Sequence, residues 1–171
     1  MTLDIRKGLP SGWESKRLVD ICDFNPKKSE VRQLLKPDDE VSFVPMEDLG
    51  LKTKSFTHLQ ERKLEEVLSS YTYFSENDIL LAKITPCFEN GKIGIAKNLR
   101  NKVGFGSSEF MVLRPHEGIS NEYVFYFINQ DNIRKDAAAN MTGAVGQKRI
   151  SKTLCNCSAV QKSRIKKLQG T

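Results

Sequence analysis

Apolar positions along the chain fall into two kinds of run. Short continuous runs predict strands: "DILLAKI" (78–84), "GKIGIA" (91–96) and "EFMVLRP" (109–115). "VSFVPM" (41–46) is a fourth, with Pro45 marking a sheet edge or a strand end. Runs at helical spacing predict helices. "NEYVFYFINQDNIRKDAAAN" (121–140) is the clearest, with Ser120 as its cap and Tyr123 to Ile128 as a thick buried side. "ERKLEEVLSS" (61–70) predicts a short helix with Leu64, Val67 and Leu68 inward, and "LPSGWESKRLVDIC" (9–22) a turn then a helix with Leu18, Ile21 and Cys22 on one face. Trp13 is expected to anchor that segment by packing.

The polar stretches between them predict the connections. "NPKKSEVRQLLKPDDE" (25–40) is a polar excursion ending in a Pro-Asp-Asp turn. Asn90-Gly91 supplies the positive φ angles of a tight hairpin turn between two of the strands. "TGAVGQKRIS" (142–151) is a glycine-rich basic loop, and a basic helix with only Ile165 and Leu168 as its apolar stripe is expected over 159–168. Strands cluster in the middle and helices at both ends. That order predicts an α+β (irregular α/β) fold, a central twisted mixed sheet with flanking helices. The expected organisation is one domain over 1–153 and a short basic tail over 154–171.

Composition narrows the class. A chain of 171 residues, 39% apolar and 28% charged, can bury a core without staples. No apolar run approaches the ~20 residues of a membrane span. "MTLDIRKGLP" carries no apolar leader, so a cytoplasmic location is expected. Cys22, Cys87, Cys155 and Cys157 fit no zinc spacing, and there are two histidines.

Charge changes the picture more. Residues 137–171 carry seven Lys or Arg and no acid, whereas the preceding residues are nearly balanced. A second basic zone runs from Lys83 to Lys102, with five positive residues against Glu89. Two such zones suit a polyanion partner or a solubilising surface.

Catalytic motifs fail on spacing. Gly91 and Gly94 match neither a P-loop nor a dinucleotide fingerprint, because "IAKNLR" continues as strand rather than opening a helix. A nucleophilic Cys87 needs a base, and only His58 and His116 are available. "FNPKK" (24–28) lacks the second proline and the aromatic of an adenine-methyltransferase motif. Binding remains, through turns that present Lys, Arg, Asn, Gln and Ser to phosphates and base edges.

Four stretches in order carry a family resemblance: "LPSGWESKRLVDIC", "DILLAKITPCFENGKIGIAKNL", "GFGSSEFMVLRP" and "YVFYFINQDNIRKDAAANMTGAVGQKRIS". Together they resemble the target-recognition domain of the specificity subunit of type I restriction–modification systems, over about residues 9–153. The resemblance implies a domain without catalysis of its own that reads one half of a split site in double-stranded DNA. It implies methyltransferase subunits and a restriction/translocase subunit as partners, with a second recognition domain or self-association to complete the site. It implies no cofactor here: S-adenosylmethionine, Mg and ATP belong to those partners. After Ser151 the likeness stops, and "KTLCNCSAVQKSRIKKLQGT" stands where the family continues into a long spacer helix.

On that reading Lys92, Lys97, Lys148, Arg149 and Lys152 are candidate phosphate contacts. Lys83, Asn90, Ser107, Ser108 and Gln147 are candidates for base-edge or positioning contacts. Lys83, Lys92 and Lys97 alternate in direction on their strands, so they do not all face one surface. Two other classes stay open: an assembly module that binds restriction–modification subunits without DNA recognition, and a small enzyme using Cys87 or the acidic clusters.

Overall fold

A computed structural model of the chain describes residues 11–144, 148–150 and 154–162. Ten strands and five helices follow in chain order: β1 (Trp13–Arg17), α1 (Leu18–Ile21), β2 (Cys22–Phe24), α2 (Ser29–Arg32), β3 (Glu40–Val44), β4 (Gln60–Lys63), α3 (Leu64–Val67), β5 (Thr72–Ser75), β6 (Ile79–Ala82), β7 (Ile93–Ile95), β8 (Val103–Gly106), β9 (Phe110–Pro115), α4 (Asn121–Ile128), α5 (Asp131–Ala139) and β10 (Ser158–Lys162).

The α+β class is as expected, but the sheet is divided. One four-stranded sheet has the order β2-β9-β6-β7 and is antiparallel; the other has the order β4-β3-β8-β5, with β3 and β8 parallel. Side-chain alternation explains why two sheets form. Leu80 and Ala82 of β6 and Phe110 and Val112 of β9 share a cluster with Val44 of β3 and Phe74 of β5, between the sheets. Ile79, Leu81, Met111 and Leu113 point the other way, into a cluster covered by α1, α4 and α5. Val41, Phe43, Tyr73 and Phe105 face outward from the second sheet onto Val31 of α2 and Leu64 and Val67 of α3. Strands buried on both faces need apolar residues at every position, hence runs such as "ILLA" and "FMVL" in place of alternation. Each buried Phe or Leu here contributes about 1.5–3 kcal/mol relative to exposure.

Glycine makes the sheets fit. On β8, Gly104 lies against the Phe74 ring and Gly106 against Phe110, leaving no room for a side chain at either position. At the far end of the sheets, Arg114 of β9 bridges layers. Its guanidinium donates to both carboxylate oxygens of Asp78 at 2.8 Å and to Glu30 of α2 at 2.7 Å, and lies 5.7 Å from the centre of the Tyr73 ring. Burial pushes the Asp78 carboxyl up, while Arg114 and the Ser75 amide pull it back.

Several expected elements differ. Residues 13–17 form a strand, because they pair antiparallel with 158–162, and the helix is confined to Leu18–Ile21. Trp13 is no anchor: it is 43% exposed. The helix expected over 159–168 is a strand as far as Lys162, and the rest of that span lies outside the described residues. Leu154 is fully buried beside Leu18, and the Leu18 amide donates to the Cys157 carbonyl at 3.0 Å, so 154–162 are part of the fold. The first residues of the 61–70 helix belong to β4, an all-polar edge strand paired with β3. The long helix over 121–140 is two, broken at Asn129-Gln130, and its cap is as expected: Ser120 Oγ accepts from the Tyr123 amide. Pro45 follows directly on β3, marking a strand end in the middle of a sheet.

Candidate nucleic-acid interface

Strand direction gathers a set of turns at one end of the sheets. β6 ends at Ala82, β8 at Gly106, and β9 starts at Phe110 opposite Ala82. The connection 83–92, the turn 107–109 and the closing residues 142–144 and 148–150 therefore meet. The meeting is built on backbone bonds. The Lys83 amide donates to Glu109 O at 2.9 Å, Thr85 to Lys148 O at 3.0 Å, and Ile150 to Lys83 O at 2.8 Å. Thr142 and Arg149 exchange a pair of bonds at 3.0 and 2.8 Å.

The 83–92 connection is not the tight hairpin turn expected at Asn90-Gly91. Phe88 donates to Ile84 O, Asn90 to Pro86 O, Gly91 to Phe88 O and Lys92 to Cys87 O, which coils the segment into a compact knuckle. Phe88 plugs it into the core at 3% exposure. Of Asn90 and Gly91 only the glycine takes positive φ (81°). Glu89 and Asn90 are exposed on the knuckle, and Ser108, Thr142, Lys148 and Arg149 are exposed on the segments bonded to its start.

The structure sorts the expected contact residues into groups. Lys83, Ser107, Ser108, Lys148 and Arg149 come together at this end. Lys83 Nζ donates to Ser108 O at 2.8 Å, and Ser107 Oγ accepts from the Glu109 amide at 3.2 Å. Arg149 forms a two-point ion pair with Glu109. That hydrogen bond holds the Glu109 carboxyl below the usual glutamate range, against the opposing effect of its partial burial. Lys148 keeps an exposed side chain.

Lys92 is different. Its ammonium donates to the carbonyls of Met46 (2.8 Å), Glu47 (3.0 Å) and Leu49 (3.2 Å), so all three of its protons are spent inside the protein. It fastens the knuckle to the segment after β3. Lys97 lies past the opposite end of β7 and donates to Asn77 Oδ1. Gln147 and Lys152 fall outside the described residues.

Sequence reasoning missed four residues of this end: Thr85, Glu89, Glu109 and Arg134. Thr85 donates to Glu89 Oε1 at 3.1 Å, and Arg134 reaches the Glu89 carbonyl from α5. Thr85 and Glu89 are a local i,i+4 pair within the coiled knuckle, whereas Arg134 meets Glu89, and Arg149 meets Glu109, only through the tertiary fold. The two carboxylates matter for charge. Lys83, Lys148 and Arg149 are set against Glu89 and Glu109, so the described part of this face is far less basic than the 137–171 count suggests.

Other chemistry finds little support at this end. His116, a candidate base for Cys87, lies beyond Pro115 at the far end of β9 and pairs with Asp23 at 3.2 Å. Among the described residues no three His, Cys, Asp or Glu side chains group to hold a metal, and no helix is long and apolar enough to cross a membrane.

Comparison with known proteins bears on the same residues. Residues 10–154 match the family model described as the type I restriction modification DNA specificity domain. The EcoAI and EcoEI specificity subunits of type I restriction enzymes from Escherichia coli are each 38% identical, over 143 and 146 residues, or 83% and 85% of this chain. Those matches cover 24% of each relative, so the chain spans about a quarter of the length of the curated relatives it matches. Among solved structures, the HsdS subunit from Thermoanaerobacter tengcongensis shares the fold with a TM-score of 0.67 at 17% identity, over 91% of this chain and 39% of that one.

Proposed function

The chain belongs to the type I restriction modification DNA specificity domain family, and from that premise we propose that it is a single target-recognition domain reading one half of a bipartite DNA site. The observation that carries this reading is the convergence of the turns 83–92 and 107–109 with residues 142–144 and 148–150 on one face with exposed donors and acceptors. Lys148, Lys83 and Arg149 meet phosphates there. Asn90 and Ser108 approach base edges, with Ser107 holding the turn. Lys97, at the other end of the sheet, is outside this contact set, and Lys92 acts from within the fold.

The domain has no reaction of its own in this reading. It directs methyltransferase and restriction subunits to their site, and those subunits hold S-adenosylmethionine, Mg and ATP. It works in the cytoplasm, and a second recognition domain supplies the other half-site.

Titration of a duplex with the chain between ~50 and ~200 mM salt tests the reading. Each phosphate contact adds about −0.9 to the slope of log affinity against log salt. A measurable slope that falls by about one on Lys148→Ala supports it. Capture of a methyltransferase subunit with no affinity for duplex DNA at ~50 mM salt would instead establish the assembly-module reading.

A further inference from the structure

Arg134 is the most deeply buried cation among the described residues, at 9% exposure. It projects from α5 into the back of the knuckle. One terminal nitrogen donates to the Glu89 carbonyl, the other to Asn129 Oδ1 at 3.1 Å, where α4 ends. Its Nε has no hydrogen-bond partner, and no carboxylate pairs with it among the described residues. Gly91 makes room for it: a Cβ there would stand 2.5 Å from one guanidinium nitrogen, at a φ of 81° that already favours glycine.

Such an arrangement is costly. A buried guanidinium without a carboxylate gives up solvation that two neutral acceptors return only in part, and apolar side chains of similar volume are often at least as stable at such positions. What it achieves is geometric. A planar fork joins the α4–α5 junction to the carbonyl of Glu89, next to exposed Asn90. Lys92 fastens the same knuckle from its other end, onto Met46, Glu47 and Leu49. The knuckle is thus held between two cations that do not reach its outer surface.

We infer that Arg134 is a positioning residue for recognition: it fixes the shape of the Pro86–Asn90 tip, and through that shape it sets which DNA sequence the domain prefers, without touching DNA itself. The inference rests on the recognition reading above.

Two measurements on the full chain decide it, applied to wild type, Arg134→Lys, Arg134→Met and Gly91→Ala. The first is amide hydrogen exchange, with no DNA present. All three variants should speed exchange at Phe88, Asn90, Gly91 and Lys92 by at least about tenfold, the loss of one charge-assisted bond, while β6 and β9 keep their protection. The second is selection from a pool of duplexes with a randomised centre, alongside salt-dependent binding to one fixed arbitrary duplex. The variants should flatten the selected sequence preference and leave the fixed-duplex salt slope at its wild-type value. A slope reduced by about one in Arg134→Lys or Arg134→Met overturns the inference, because Arg134 would then meet phosphate. Unchanged exchange at the knuckle, or equal loss of protection throughout the sheets, overturns it too. A wild-type chain that selects no sequence overturns the recognition reading itself, and with it the inference, even where exchange responds as expected.

Discussion

Arg149 lays both edges of its guanidinium on the carboxylate of Glu109, Nη2 to Oε1 at 2.6 Å and Nε to Oε2 at 2.9 Å, across 40 residues of sequence. The pair seals the closing segment to the β8–β9 turn and also offsets a charge that a phosphate would use. Glu109→Gln should therefore strengthen duplex binding and steepen the salt slope by up to about one, and Arg149→Ala should do the reverse. Stability should move by less than about 1 kcal/mol in either case, because the pair is solvent-exposed. Duplex titration at several salt concentrations reads the first effect and urea unfolding the second.

The same pair gives a pH dependence. The folded Glu109 carboxyl is held below its ordinary value of 4.5. A carboxyl depressed by folding contributes stability that is present above its unfolded pKa and lost as pH falls through the folded one. The stability difference between the wild type and Glu109→Gln should thus be constant from neutral pH down to about 4.5 and shrink below it. Urea midpoints measured from pH 7 to pH 3 check the sign.

Lys92 and Lys148 should behave oppositely despite being the same residue type in neighbouring turns. Lys92→Ala leaves three carbonyls without their donor and should cost about 2 kcal/mol or more in unfolding free energy, with the salt slope unchanged. Lys148→Ala should leave stability within about 0.5 kcal/mol and reduce the slope by about one. A salt-slope loss in Lys92→Ala with unchanged stability would show that its ammonium turns outward.

Asp78 is almost fully buried against Arg114, and Asp78→Ala should be among the most damaging substitutions, costing about 3–5 kcal/mol. The damage comes from a guanidinium left with Glu30 as its one carboxylate and from a Ser75 amide without its acceptor. Asp78→Ala combined with Arg114→Met should therefore cost less than Asp78→Ala alone, which denaturant unfolding of the single and double variants measures.

Burial pushes the Cys22 thiol up to about 12, so at pH 8 only about one molecule in ten thousand carries the thiolate. Cys87, only partly buried on the knuckle, should be alkylated faster. Site-resolved mass spectrometry after a timed treatment with iodoacetamide compares the two.

What could be read from sequence followed burial. The β6 and β9 runs announced themselves because both faces of each strand meet a core, and the Ser120 cap because its chemistry is local. β1 did not, since "WESKR" has one apolar residue and that residue is exposed; its pairing partner lies more than 140 residues away. "QERK" became β4 because an edge strand can be polar throughout. "VGFG" became β8 because its glycines answer to Phe110, four residues on, and to Phe74, thirty residues back and outside any local window. The site divides in the same way. That 83–92 and 142–150 carry the polar side chains was visible, but that Lys92 turns inward while Lys148 turns outward depends on the carbonyls of Met46, Glu47 and Leu49. Arg134, one charged residue among several in "DNIRKDAAA", gave no sign that it was buried.

The ribbon of β1 and β10 has a mechanical consequence. Trp13 faces Lys162 and Arg17 faces Ser158, so the ribbon's outer ends lie side by side, and its inner ends lead to buried Leu18 and Leu154. Tension drawn through the two outer ends would load the five pairs in succession, parting them like a zip from Trp13 inward rather than shearing them together. The ribbon would yield first and leave the sandwich of sheets intact, a tear-strip between the folded body and whatever pulls on it.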